Sequence, residues 1–266
     1  MVEAEVAVRA GYARTVRTGS GGPGLLLAHG GGGSVEANYG PVLEELAREF
    51  SVVAVDYPGT GGTPRSERPL ALDELADELV AAADAEGLET FAVHGYSLGG
   101  NVALRLAARY PERVTALVLS ASFVRADARL DAIAELWRVF ARRGEWAALS
   151  RLLTPLVLGE PTLGRLSAAE LAAVQEATAG SFPPGAGDHA ALVRGADLRS
   201  EAAGVRVPTL VIVTTEDELA QPALQRELAA AVPGAKVAEL ATGHLPFATA
   251  PARWAALIAD FLRTAV

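Results

Sequence analysis

Ser97 stands in Gly95-Tyr96-Ser97-Leu98-Gly99, a G-x-S-x-G pattern. In that pattern the serine occupies a sharp turn whose neighbours must be small enough for backbone to pass close by. Such a turn lifts the serine Oγ clear of its surroundings. A helix starting directly behind it offers unpaired N–H groups and the positive end of its dipole where negative charge would develop on a substrate. This is the chemistry of a nucleophile at an acyl carbon, with Ser97 the candidate; the plainer alternative is a serine N-cap after a tight turn. A hydroxyl nucleophile needs a base, and an imidazole base needs a partner that holds its tautomer. Of the four histidines, His244 in Gly243-His244-Leu245-Pro246 follows the last expected strand and is the candidate base. His29 sits beside glycines and is expected to order that loop through its ring N–H. His94 falls on the serine's own strand and is expected to be a satisfied core histidine, while His189 is expected to be exposed. Glu216-Asp217-Glu218 follows another apolar strand; Asp217 is the candidate acid, and a solvated acidic loop is the alternative.

These groups need elements that bring them to one edge. Phe91 to His94 is an apolar run that stops at Gly95, and Val102, Leu106 and Tyr110 restart at helical spacing, so the stretch reads strand, turn, helix. Leu25-Leu26-Leu27-Ala28 and Val52-Val53-Ala54-Val55 are continuous apolar runs, as strands buried on both faces require. Val114 to Leu119, Val207 to Val213 and Val237 to Leu240 extend the set. Helical stripes at Leu72 to Ala83, Leu224 to Val232 and Trp254 to Leu262 alternate with them. Glu5 to Arg9 and Tyr12 to Thr18 alternate as an antiparallel edge hairpin would. The alternation stops after Leu119, because residues 125–204 carry only helical patterns broken at Gly144, Gly159-Glu160-Pro161 and Phe182-Pro183-Pro184-Gly185. The expected architecture is α/β: a doubly wound, mostly parallel sheet from 1–124 and 205–266, with 125–204 inserted as a helical cap.

Taken together, His29-Gly30-Gly31, Asp56-Tyr57-Pro58-Gly59-Thr60-Gly61, Gly95-Tyr96-Ser97-Leu98-Gly99-Gly100, Tyr110-Pro111-Glu112-Arg113-Val114, the strand leading to Asp217, and Gly243-His244 resemble the α/β-hydrolase superfamily, in its single-cap esterase-like and C–C-hydrolase-like branch. The resemblance covers essentially the whole chain outside the cap. It implies Ser97 as nucleophile, His244 as general base and Asp217 as its orienter, in the serine, acid, histidine order of that fold. It also implies an oxyanion hole from the backbone N–H groups of Gly31 and Leu98. One departure is Thr214, where family members usually carry glycine; it is expected to stiffen or shift the acid loop. No carboxylate stands in Ser120-Ala121-Ser122-Phe123, the other place relatives put the acid.

Composition narrows the rest. With 266 residues, half of them hydrophobic, a large core is available, and a net charge of −9 without a basic cluster argues against nucleic acid or anionic membrane as partner. The absence of cysteine excludes a disulfide scaffold, a thiolate zinc site and cysteine catalysis. The glycine loop lacks the Gly-Lys-Ser/Thr ending of a phosphate cradle, and H-E-x-x-H is absent, so no cofactor or metal is implied. The acidic start of the chain and the lack of a long apolar run predict an unexported, cytoplasmic protein; a monomer or homodimer is expected, with nothing in the sequence to choose between them. The cap is rich in apolar residues and poor in polar clusters. Trp137, Phe140 and Trp146 are the first candidates to line a pocket for a medium-sized apolar small molecule. The expected function is hydrolysis of an ester, thioester or lactone through an acyl-enzyme. The alternatives are C–C bond hydrolysis or a lyase reaction with the same triad, and ligand binding on a hydrolase scaffold.

Overall fold

The runs without alternation become the middle of a sheet. In the computed structural model, which describes residues 2–8, 11–18 and 21–265, the strands are β1 (Val2–Val8), β2 (Gly11–Thr18), β3 (Gly24–Ala28), β4 (Ser51–Val55), β5 (Phe91–Tyr96), β6 (Val114–Ser120), β7 (Thr209–Thr214) and β8 (Lys236–Leu240). They form one sheet in the order β1-β2-β4-β3-β5-β6-β7-β8. β1 pairs antiparallel with β2, and β2 antiparallel with β4; all other pairs are parallel. The expected edge hairpin is there, although Arg9, at the end of its first expected strand, lies outside the described residues. Every residue of β3, β4, β5 and β7 is buried, which is why these strands read as unbroken apolar runs.

Helices cover both faces, as parallel strands require. On one side α2 (Leu72–Ala85) and α3 (Leu98–Arg109) pack Leu79, Val102 and Leu106 against Leu26, Val53, Val93 and Leu117. On the other, α1 (Val35–Leu46) brings Val42 and Leu46 against Leu25, Val52 and Ile212. Between β6 and β7 the chain makes six helices: α4 (Ala128–Arg143), α5 (Trp146–Leu158), α6 (Glu160–Leu163), α7 (Ala168–Ser181), α8 (Ala186–Val193) and α9 (Arg199–Gly204). After β7 come α10 (Pro222–Ala231), α11 (Pro246–Thr249) and α12 (Pro251–Ala265). α10 joins the first face through Leu228, and α12 joins the second through Trp254, Ile258 and Leu262. The excursion from α4 to α9 shares a third apolar cluster with the sheet edge, where Leu130, Ile133, Leu149 and Leu153 meet Leu98, Phe123, Leu219 and Leu224. Removing one such side chain from water contributes roughly 1.5–3 kcal/mol, so apolar burial fastens the excursion to the sheet edge. Among the described residues no helix is long and apolar enough to cross a membrane.

Candidate active site

β5 ends at Tyr96, and the next residue turns the chain. Ser97 has φ 53° and ψ −121°, a left-handed conformation that costs a non-glycine residue on the order of 1–3 kcal/mol. Its neighbours hold it there. The Ser97 N–H donates to the Ser120 carbonyl at 2.9 Å, and Ser122 Oγ–H donates to the Ser97 carbonyl at 2.8 Å. A Cβ on Gly99 would fall on the carbonyl of Ala28, and one on Gly95 on the carbonyl of Gly99, so α3 can pass this close to the strands only with glycine at both positions. The Ser97 side chain does not cap α3. Its Oγ lies 3.0 Å from Nε2 of His244 instead.

His244 stands in the loop after β8, buried, with its Nδ1 2.7 Å from Oδ2 of Asp217. Its backbone N–H donates to the Val157 carbonyl at 2.8 Å, and Tyr96 O–H donates to its carbonyl at 2.8 Å. Asp217 is fully buried, and its carboxylate accepts five hydrogen bonds. Leu219 N–H at 2.9 Å and Ala220 N–H at 3.0 Å reach Oδ1; Thr214 Oγ–H at 3.0 Å, Gln225 Nε2–H at 3.1 Å and His244 reach Oδ2. With the carboxylate accepting from Nδ1–H, Nε2 is left free to take the Ser97 proton. Of the neighbouring acids, Glu216 is half-buried and Glu218 exposed, and neither touches His244. Thr214 therefore neither displaces the acid nor leaves it loose. Its hydroxyl donates to the carboxylate and is itself braced by Gln225 Nε2–H at 2.8 Å.

The glycine loop after β3 forms the other flank. Its N–H groups are accounted for one by one: Gly30 donates to Asn38 Oδ1 at 2.9 Å, Gly32 to His189 Nδ1 at 3.1 Å and Gly33 to the Gly30 carbonyl at 3.3 Å. Gly31 N–H alone of the four has no acceptor among the described residues. Leu98, first in α3, has no intrahelical acceptor either. Both residues line the cavity beside Ser97. His29 orders the loop as expected, its Nδ1–H donating to the Gly30 carbonyl at 2.8 Å while Nε2 accepts Tyr57 N–H at 3.0 Å. Burial pushes its pKa down to about 3, with the nearby His189 adding to the shift. His94 also stays neutral, pushed to about 3 by burial; its Nε2 bonds Ser120 Oγ at 2.9 Å, but Nδ1 has no partner among the described residues, so the expected satisfaction is only half there.

Two expectations need correction. His189 is not exposed: it is fully buried, because Gly185 and Gly59 let the start of α8 press onto the loop after β4 and turn the ring inward. Burial lowers its pKa to about 4. Phe140 and Trp146 do not line the cavity. Trp137 does, with its ring against Gly32, whereas Trp146 stacks behind Phe182 at 5.8 Å and Phe140 packs into the third cluster. Helical spacing placed all three on apolar stripes but could not tell which stripe faces the cavity. Phe182, which the sequence marked only as part of a helix break, lines it instead. The cavity holds about 410 Å³, and among the described residues lining it there is no Asp, Glu, Lys or Arg. No three of His, Asp and Glu are grouped to hold a metal ion among the described residues.

Known proteins share this fold. Residues 23–251 match the family model described as alpha/beta hydrolase fold. The chain is 32% identical over 243 residues to pyrrolizixenacetamide deacetylase of Xenorhabdus hominickii, covering 91% of this chain and 91% of that one. It is 31% identical to the pimeloyl-(acyl-carrier protein) methyl ester esterase of Nitrosomonas europaea, over 89% of this chain and 94% of that one. Among solved structures, the enol-lactonase of Burkholderia xenovorans LB400 matches with a TM-score of 0.85 and 26% identity, over 98% of this chain and 100% of that one.

Proposed function

The chain belongs to the α/β hydrolase fold family, a family of hydrolytic enzymes, and from that premise we propose that it is a serine hydrolase cleaving an uncharged, largely apolar ester, thioester, lactone or amide. The observation that carries this reading is the continuous chain from Ser97 Oγ to His244 at 3.0 Å and from His244 to Asp217 at 2.7 Å. Ser97 Oγ attacks the acyl carbon as its proton passes to His244 Nε2. The acyl oxygen becomes an oxyanion received by the N–H groups of Gly31 and Leu98, while Asp217 stabilises the imidazolium. Collapse expels the alkoxide, thiolate or amine, which takes the proton from Nε2 and leaves an acyl-enzyme. A water molecule then gives its proton to His244 and attacks the same carbon, releasing the acid and restoring Ser97.

Residues 125–204 act as a cap that sets substrate choice. The apolar wall of the cavity, with Trp137 and Phe182, favours an apolar group, and the lack of charged lining disfavours a substrate carrying a carboxylate or phosphate there. Chromogenic short-chain and medium-chain esters test the reading. A fluorophosphonate should inactivate the protein with one equivalent bound on Ser97. Ser97→Ala should lose activity by at least about 10⁴-fold while unfolding at the wild-type temperature. Labelling of a different serine, or a variant that turns over normally, refutes it; absence of turnover with Ser97 fully labelled favours ligand binding on a hydrolase scaffold.

A further inference from the structure

α8 is fastened to the loop after β4 at three points. Gly185 N–H donates to the Gly59 carbonyl at 2.9 Å, Asp188 forms a two-point ion pair with Arg65 at 2.6 and 2.9 Å, and His189 Nε2 meets the Pro58 carbonyl at 3.1 Å. A carbonyl only accepts, so Nε2 carries the proton and Nδ1 is left as an acceptor. That nitrogen takes the Gly32 N–H at 3.1 Å. Gly32 has φ 70°, and a run of four glycines has little backbone preference of its own. Something outside the loop must choose its conformation. The N–H of Gly32 shares a planar peptide with the Gly31 carbonyl, so one hydrogen bond fixes the direction of both groups. Asn38 does the same at Gly30. The peptide between them is held at the Gly30 carbonyl by His29 Nδ1–H at 2.8 Å and Gly33 N–H at 3.3 Å, and its N–H, that of Gly31, has no acceptor among the described residues. His189 fixes the peptide that follows and so the far side of Gly31.

We propose that His189 is a positioning residue for the oxyanion site: by accepting the Gly32 N–H it holds the glycine loop so that the Gly31 N–H is presented to the acyl oxygen. Residues 125–204 would then contribute to the chemistry through this ring as well as to substrate choice. The inference rests on the serine-hydrolase reading above. Buried at the junction of α8 and two loops, the ring engages a partner through each nitrogen; no other side chain among the described residues accepts the Gly32 N–H.

The test uses a chromogenic short-chain ester, with kcat and KM measured separately. His189→Leu keeps comparable bulk and loses both hydrogen bonds; His189→Asn places an oxygen near the position of Nδ1 but does not reach Pro58. The expected result is a fall in kcat of roughly 10–100-fold for His189→Leu, the size of a misplaced oxyanion donor, with KM within about three-fold and Ser97 still labelled by a fluorophosphonate. His189→Asn should regain most of the loss. A boronic acid that adds to Ser97 should bind the leucine variant weaker by the same factor as kcat falls. Equal losses in both variants, or a KM that rises with kcat unchanged, would overturn the positioning role. Should the leucine variant fail to fold, His189→Gln, which can reach Pro58 but not accept from Gly32, is set against His189→Asn; a glutamine variant as active as the asparagine one overturns it equally. If wild-type Ser97 resists the fluorophosphonate, the serine reading itself falls and this proposal with it.

Discussion

The two flanks of Ser97 are built on opposite rules. On the acid flank the carboxylate is fully engaged: Asp217 accepts five hydrogen bonds, and Gln225 reaches its carboxylate, the Thr214 hydroxyl and the Ala220 carbonyl. On the glycine flank three N–H groups are matched and one is not. Gly31 is only half-buried and lines the cavity, so its N–H is open to a guest there. The difference follows from what each flank does. In the proposed mechanism the acid side preserves one tautomer through the whole cycle, which satisfied hydrogen bonds serve. The glycine side would meet a charge that exists only during the reaction, which an N–H left open in the resting protein serves. A serine in a strained turn joins the two.

Substitutions on each flank should separate these rules by magnitude. Asp217→Asn leaves the packing but loses the carboxylate that fixes Nδ1–H on His244; kcat should fall about 10⁴-fold, the scale of a wrong tautomer. Gly32→Ala forces a Cβ at φ 70° to within 2.5 Å of Trp137 Cζ2 and must displace the loop, with an expected loss of roughly 10²–10³-fold, that of one oxyanion donor. Gly31→Ala has no neighbour nearer than 3.5 Å and should cost less than about five-fold. These three kcat/KM values, measured on one ester with melting temperatures alongside, rank the flanks. Gly31→Ala falling as far as Gly32→Ala would show that the loop cannot be resolved residue by residue.

A smaller effect sharpens the contrast by pH. His29 and His189 flank the glycine loop with pKa values pushed from 6.5 to about 3 and about 4, chiefly by burial. Both rings are neutral in the folded protein, whereas the unfolded chain takes up protons near 6.5. Their contribution is therefore present above 6.5 and lost as pH falls from 6.5 towards 4 and then 3, with each ring approaching about 1.4 kcal/mol per pH unit. Urea unfolding at pH 7, 6 and 5 should show this slope, and His189→Asn should reduce it by about one ring's share. A flat stability between pH 7 and 5 would mean that these rings are already charged in the fold.

The strands were legible because burial on both faces leaves no room for alternation, and Ser97 because the turn restricts its neighbours to glycine. His244 and Asp217 were legible from their places after strands. Thr214 was read as a disturbance because a departure from the family pattern says nothing about which partner will meet the new hydroxyl. Gln225, which completes that contact, carried a faint signal: an amide beside Leu224 and one turn before Leu228, inside the buried stripe of α10. His189 carried the same signal, standing three residues after Ala186 and four before Val193 on the buried face of α8. A polar residue at an apolar position of a helix is either an error of folding or a bond across the fold. Nothing local says where that bond goes, since Gly32 is 157 residues away.

The uncharged cavity has a consequence for what happens after the chemistry. On the proposed function, hydrolysis turns a neutral substrate into a carboxylic acid that is fully ionised at pH 7, and the wall around it offers no Lys or Arg to meet the new charge. Confining a carboxylate without a counter-ion is costly, so the reaction itself converts a well-bound guest into a poorly bound one. The released acid should inhibit at least about ten-fold more weakly than the neutral alcohol or amide of the same size, a ratio read directly from steady-state inhibition at pH 7.5. Comparable inhibition by the acid would mean that the anion finds a partner the resting cavity does not display. On that same proposed function, the plain apolar wall that admits the substrate would thus favour release of its product.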